Sequence, residues 1–339
     1  MILRPKPSRS RHGVLGGAPS IAPMATVPTW LRGAALDTQT VAGQGIEDIA
    51  VTAGAAIGAL DAVVRRRERW AGAWRQRLAL SAAAVTARQA GRVEDEAALR
   101  DAVLLTRPGD NVGPAGLFLL AWRRLASRPA DDLLTEKNVA AVLEDLGLTL
   151  NDEAVSDLTD DLRQLAANTG TVETLVGAFA AAERYGLRRV LGAWLADVLL
   201  AQRLGWTPAI PLLGAEATLV VGTGRARRPV TAALAAGAET EADWAKSLLA
   251  AQARAALRAI DLFAELERRA DRLLAVAPKL RAKAADVVVE KLLSDDAIVA
   301  SEQIAGMSDR GLRRLFDRLV ELGAVCELSG RATFRIYGL

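Results

Sequence analysis

The run Ser308-Asp309-Arg310-Gly311-Leu312-Arg313-Arg314-Leu315-Phe316-Asp317-Arg318-Leu319-Val320-Glu321-Leu322-Gly323 decides how the C-terminal part of this chain folds. Leu312, Leu315, Phe316 and Leu319 recur at three- and four-residue steps, so they share one stripe of a helix. Ser308 can cap the first turn, and Gly323 can close the last. The face opposite the stripe carries Arg310, Arg313, Arg314, Asp317 and Arg318.

Upstream, Asp286 to Leu293 predicts a first helix, and Ser301 can cap a short second one over Glu302 to Ala305, with Gly306 as the turn. Downstream, Val325 to Leu328 and Thr333 to Tyr337 predict two strands joined at Ser329-Gly330-Arg331, with Arg335 on the second. Three helices followed by a hairpin make a winged helix-turn-helix over residues 285–339. In that fold the third helix enters the major groove of double-stranded DNA and the wing reaches backbone or minor groove. Arg310, Arg313 and Arg314 are the candidates for base edges, Arg331 for phosphate, with Arg318 and Arg335 beside them. Asp317 and Glu321 oppose phosphate, so docking against protein is the alternative use of the same element.

The remainder reads as helix. Of the 339 residues, 51% are hydrophobic and only 4% aromatic, and Ala and Leu dominate; this composition favours helix over sheet. The expected fold is all-α, a multi-helix N-terminal and central domain ending in the winged segment. Residues 1–34 read as a disordered basic tail, with translation starting at Met1 or Met24. A helical domain follows over 35–204, a Gly-, Pro- and Arg-rich loop or linker over 205–229, and a long helix with its connection over 230–284. That helix is expected from about Glu241 to Ala275, since it lacks Gly and Pro. Its Ala245, Leu248, Leu249, Ala256, Leu257, Ile260 and Leu274 read as core more readily than as a dimer or partner interface.

Several chemistries are excluded or weakened. Cys326 is the sole cysteine and His12 the sole histidine, so no internal disulfide, Cys/His zinc site or histidine triad can form within one chain. No cofactor is expected. No window of about twenty apolar residues suggests a membrane span, and a cytoplasmic protein is expected. The formal net charge of +3 is too small to demand nucleic acid, and the excess of Arg over Lys also follows from a GC-rich coding sequence. Trp70, Trp74 and Leu78 share one helix face and read as core, with the neighbouring arginines paired to acids such as Glu94, Asp95, Glu96 and Asp101. Gly222-Thr223-Gly224 lacks the rest of a phosphate-binding motif. Asp145 to Ser156 has calcium-loop spacing but lacks the Gly and Glu such a loop needs. Paired carboxylates such as Glu183 and Asp197 leave a carboxylate-based enzyme as a weaker alternative.

A set of motifs is shared with a known family. They are Trp74-Arg75-Gln76-Arg77-Leu78, Glu94 to Asp101, Pro108-Gly109-Asp110 with Gly113-Pro114-Ala115-Gly116, Leu120-Ala121-Trp122-Arg123-Arg124, Pro211-Leu212-Leu213 and Arg314 to Ala324. With these the chain resembles an uncharacterised bacterial family, domain of unknown function 1403, from about Ala35 to Leu339. The resemblance implies a C-terminal hairpin-bearing segment. Related bacterial proteins carry an Arg-rich helix and wing, which favours DNA binding, plausible as the work of a transcriptional regulator. It implies no activity and transfers no site residues.

Overall fold

The computed structural model describes residues 27–36, 44–107, 109–168, 170–216, 233–331 and 333–339. Among them are thirteen α-helices and one small sheet. The helices are α1 (Thr29–Leu36), α2 (Ile46–Arg65), α3 (Ala71–Gln89), α4 (Glu96–Leu104), α5 (Gly113–Ser127), α6 (Ala130–Leu133), α7 (Glu136–Asp145), α8 (Asp152–Asn168), α9 (Thr171–Arg184), α10 (Arg189–Leu204), α11 (Ala233–Val276), α12 (Ala285–Ser294) and α13 (Asp309–Glu321). Strands β1 (Ile298–Val299), β2 (Cys326–Glu327) and β3 (Ile336–Gly338) form an antiparallel sheet in the order β1-β3-β2. The chain is mainly all-α, as composition implied.

Local chemistry places the boundaries. The Asp95 carboxylate accepts from the Ala98 N–H at 2.8 Å and opens α4, and the Ser308 hydroxyl accepts from the Gly311 N–H at 3.2 Å and opens α13. Pro114 occupies the first turn of α5, where its missing N–H costs nothing.

α3 and α10 form the centre. Residues Val190 to Ala201 of α10 are all buried, as are eleven positions of α3, the pattern of helices surrounded on every side. Tryptophans cement this centre, and most find a partner for the indole N–H. Trp74 donates to the Ala259 carbonyl at 2.8 Å, Trp122 to the Thr86 hydroxyl at 2.9 Å, Trp194 to the Ala121 carbonyl at 3.1 Å and Trp206 to the Asp61 carboxylate at 2.8 Å. Trp70 and Trp74 are therefore core, as their shared face predicts. The 44-residue α11 lies along α2 and touches α1, α3 and α9. Of its expected core positions, Ala245, Leu248, Leu249, Ala256, Leu257 and Ile260 are buried and Leu274 is partly buried.

Four sequence expectations change. Residues 29–34 belong to α1 rather than a disordered tail, because Leu31 and Ala35, one turn apart, are buried in the core and Arg32 pairs with Asp261 at 2.6 Å. The first part of the 205–229 segment is a loop, as one of its two readings has it, but one packed into the core rather than a linker: Trp206, Ala209, Ile210, Leu212 and Leu213 are buried. The Asp197 carboxylate holds this stretch by accepting from the N–H groups of Leu212 and Leu213 at 2.8 and 3.1 Å. Gly222-Thr223-Gly224 lies outside the described residues. The helix expected over Glu302 to Ala305 does not form. The segment instead runs between two turns, held extended by the burial of Ile304 and the pairing of Glu302 with Lys291. Finally, the arginines after α2 pair with distant acids, Arg66 with Glu267 and Arg69 with Glu290, not with Glu94, Asp95, Glu96 or Asp101.

Candidate nucleic-acid interface

α13 sits on the sheet through its predicted stripe. Leu312, Leu315, Phe316 and Leu319 are buried, and the Phe316 ring stacks on Tyr337 of β3 with centroids 4.2 Å apart and planes 5° from parallel. This contact turns the opposite face outward. Arg310, Arg313 and Arg314 are exposed and make no ion pair among the described residues.

The other three candidates are engaged. Arg318 pairs with Glu321 one turn on, at 2.6 Å with both side chains well exposed. Arg335 lies 3.9 Å from Asp317. Arg331 reaches away from α13 to Asp101 at the end of α4, at 2.5 Å. The six arginines thus do not form one surface: three share the open helix face, and Arg331 is turned toward the helical body. Asp317, Val320, Glu327, Gly330, Arg331, Arg335 and Tyr337 line a cleft of about 480 Å³ between α13 and the hairpin loop.

The hairpin is shorter in strand and longer in loop than its sequence suggests. Pairing runs only from Cys326 with Gly338 to Glu327 with Tyr337. Beyond it, the Glu327 carboxylate accepts from the N–H groups of Ser329 at 2.8 Å and Gly330 at 3.1 Å. Burial works against the charge, yet these hydrogen bonds hold the Glu327 carboxyl below its usual range. The strand β1 was not foreseen, since two residues, Ile298 and Val299, carry no alternation to detect.

The terminal segment is seated on the helical body by residues that sequence reasoning passed over. Asp296, in the turn between α12 and β1, is buried between Arg77 of α3 and Arg100 of α4. Its Oδ2 accepts from Arg100 Nε at 2.5 Å, and its Oδ1 accepts from Arg77 Nε. Burial alone would raise this carboxyl, but Arg77, Arg100 and Arg123 outweigh it and hold it below the usual carboxylate range. Arg77 and Arg269 also donate to the Leu339 carbonyl at 3.4 and 2.9 Å. The only hint in the sequence is an acid pair, Asp295-Asp296, set directly before the apolar Ala297-Ile298-Val299.

The other constellations separate. Glu183 pairs with Arg189 at 3.0 Å on the surface, while Asp197 spends its oxygens on backbone amides inside the core. Asp145 pairs with Arg124 at 3.0 Å. Among the described residues no group of three or more His, Cys, Asp or Glu could hold a metal, and no helix is long and apolar enough to cross a membrane.

No curated protein and no solved structure matches the chain. A family does, over residues 20–339, nearly its whole length. The chain therefore belongs to the family that its motifs resemble, described as protein of unknown function (DUF1403).

Proposed function

We propose that the protein binds double-stranded DNA through α13 and acts as a regulator in the cytoplasm, where that DNA lies. The observation that carries this reading is the open face of Arg310, Arg313 and Arg314 on a helix whose other face is locked to a sheet. The order α12, β1, α13, β2, β3 with β3 central suits a winged helix in which a turn replaces the second helix. Guanidinium groups at these positions match phosphate oxygens and guanine edges in charge and geometry.

A salt titration with a labelled random duplex tests it. Phosphate contact predicts log affinity falling with log salt by about 0.9 per phosphate neutralised. Flat or absent binding by the full-length protein sinks the reading.

A second reading has its own observation. Val320 on α13, Leu322 just past its end and Phe334 in the hairpin loop are exposed, Phe334 by 67%. Exposed apolar groups of this size suit a protein partner or a second copy of the chain. In that case the segment is a docking element, DNA affinity is absent, and sedimentation of the purified protein shows self-association that Phe334→Ser removes.

A further inference from the structure

A second group of arginines lies away from α13. A cleft of about 730 Å³ opens where the α2–α3 turn, the end of α5, the stretch after α10 and the end of α12 meet. Arg65, Arg67, Arg69 and Arg75 line it, together with the carboxylates of Glu68 and Asp295. Much of this charge is already spent. Arg65 pairs with Asp61 at 2.7 Å, Arg69 with Glu290, and Glu68 with Arg66 at 2.9 Å.

Two guanidiniums are left over. Arg67 is held with φ of 50° and pairs with no acid among the described residues. Arg75 is largely buried, and its one hydrogen bond runs from Nε to the Ala126 carbonyl at 3.0 Å. Burial lowers its guanidinium below the ordinary value, with no carboxylate close enough to offset this. A desolvated cation without a counter-charge is costly to a fold, and a bound anion would remove that cost. Trp74, Trp206 and Phe263 back the cleft from inside the core, almost wholly buried.

We propose that this cleft binds a phosphate-bearing small molecule, of the diphosphate class, with Arg75 and Arg67 on the phosphates. The volume suits a ligand of that size. A guanidinium fork matches phosphate oxygens in pairs. The site stands independently of the DNA reading, since it shares no residue with α13.

Thermal unfolding and calorimetric titration of the full-length protein in phosphate-free buffer, with adenosine diphosphate, pyrophosphate and adenosine as probes, test this. Adenosine diphosphate and pyrophosphate are both expected to bind saturably and raise Tm, and adenosine to do neither. Arg75→Gln is expected to lose about tenfold or more in affinity while its ligand-free Tm holds or rises, because an unmatched buried charge is gone. Arg67→Asn tolerates the same backbone and should weaken binding without changing Tm, so it tests the site even if Arg75→Gln folds poorly. Joint replacement of Arg310, Arg313 and Arg314 by Ala should leave nucleotide affinity intact. The proposal is overturned if neither phosphate compound binds, if adenosine binds as well as its diphosphate, if both cleft variants bind like the parent, or if the α13 variant loses the nucleotide.

Discussion

Arg100 and Asp296 meet in a buried fork, with Arg100 Nε 2.5 Å from Asp296 Oδ2 and the acid's side chain wholly removed from solvent. Arg77 completes the triad from the other side, so one carboxylate holds two helices of the body to the terminal segment.

Removing that acid strands two buried guanidiniums. Asp296→Ala is expected to cost about 3–5 kcal/mol of stability, read as a lower urea midpoint. The sign with pH follows from a carboxyl held below its ordinary value: its stabilising effect is complete above the unfolded value of about 3.9. The effect is lost as pH falls through the lower folded value. Acid unfolding should thus begin at higher pH in Asp296→Ala than in the parent, and an identical acid limb would refute the role.

Asp197 should behave in the opposite sense. Burial pushes its carboxyl up to about 8, although the amides of Leu212 and Leu213 donate to it. Between the unfolded value of about 3.9 and that figure the folded chain holds a proton that the unfolded chain has released. Its contribution to stability therefore falls as pH rises through this window and levels off above it. Asp197→Asn keeps an acceptor and carries no charge, so it should flatten the dependence in urea melts. Asp197→Ala leaves buried amides unpaired and should cost about 1–3 kcal/mol at every pH.

For α13, replacing Arg310, Arg313 and Arg314 together by Ala should lower duplex affinity and reduce the salt slope by about 1 for each arginine on a phosphate. Tm should stay where it is, because these side chains touch no acid among the described residues. Unchanged affinity would move the contact off this helix.

A steric test addresses the seam between body and terminal segment. A Cβ on Gly72 of α3 would stand 2.5 Å from the Ser294 carbonyl oxygen and 2.7 Å from its Cα, both backbone atoms that cannot swing aside. Gly72→Ala is expected to cost about 1–3 kcal/mol, measured by denaturant unfolding, while Gly91→Ala reports only backbone strain at a site with open space. Equal effects from the two would mean that the seam is loose.

What the sequence made legible was local. Helix spacing, the Ser308 cap, the Leu312 to Leu319 stripe and the buried Trp70 and Trp74 depend on neighbours within one or two turns. What stayed hidden depends on residues far along the chain. Nothing near Arg66 points to Glu267, and nothing near Arg331 points to Asp101. Ile298 and Val299 become a strand only because β3 lies beside them. The open face of α13 was foreseen from its stripe, but the tie that turns Arg331 away from that face to Asp101 needed the assembled body. The Arg67 and Arg75 cleft was missed because their lack of acid partners is a property of packing, and the surrounding Arg-Glu-Arg pattern suggests paired charge.

The middle strand of the sheet is the last one made. β1 and β2 both pair with β3, and the ring on which Phe316 rests belongs to it. During synthesis the helical body can assemble before β3 leaves the ribosome, but α13 has no finished seat until that strand emerges. Whatever α13 binds is therefore met only once β3 is in place, and a chain broken just before residue 336 would leave the body folded with this helix unsupported.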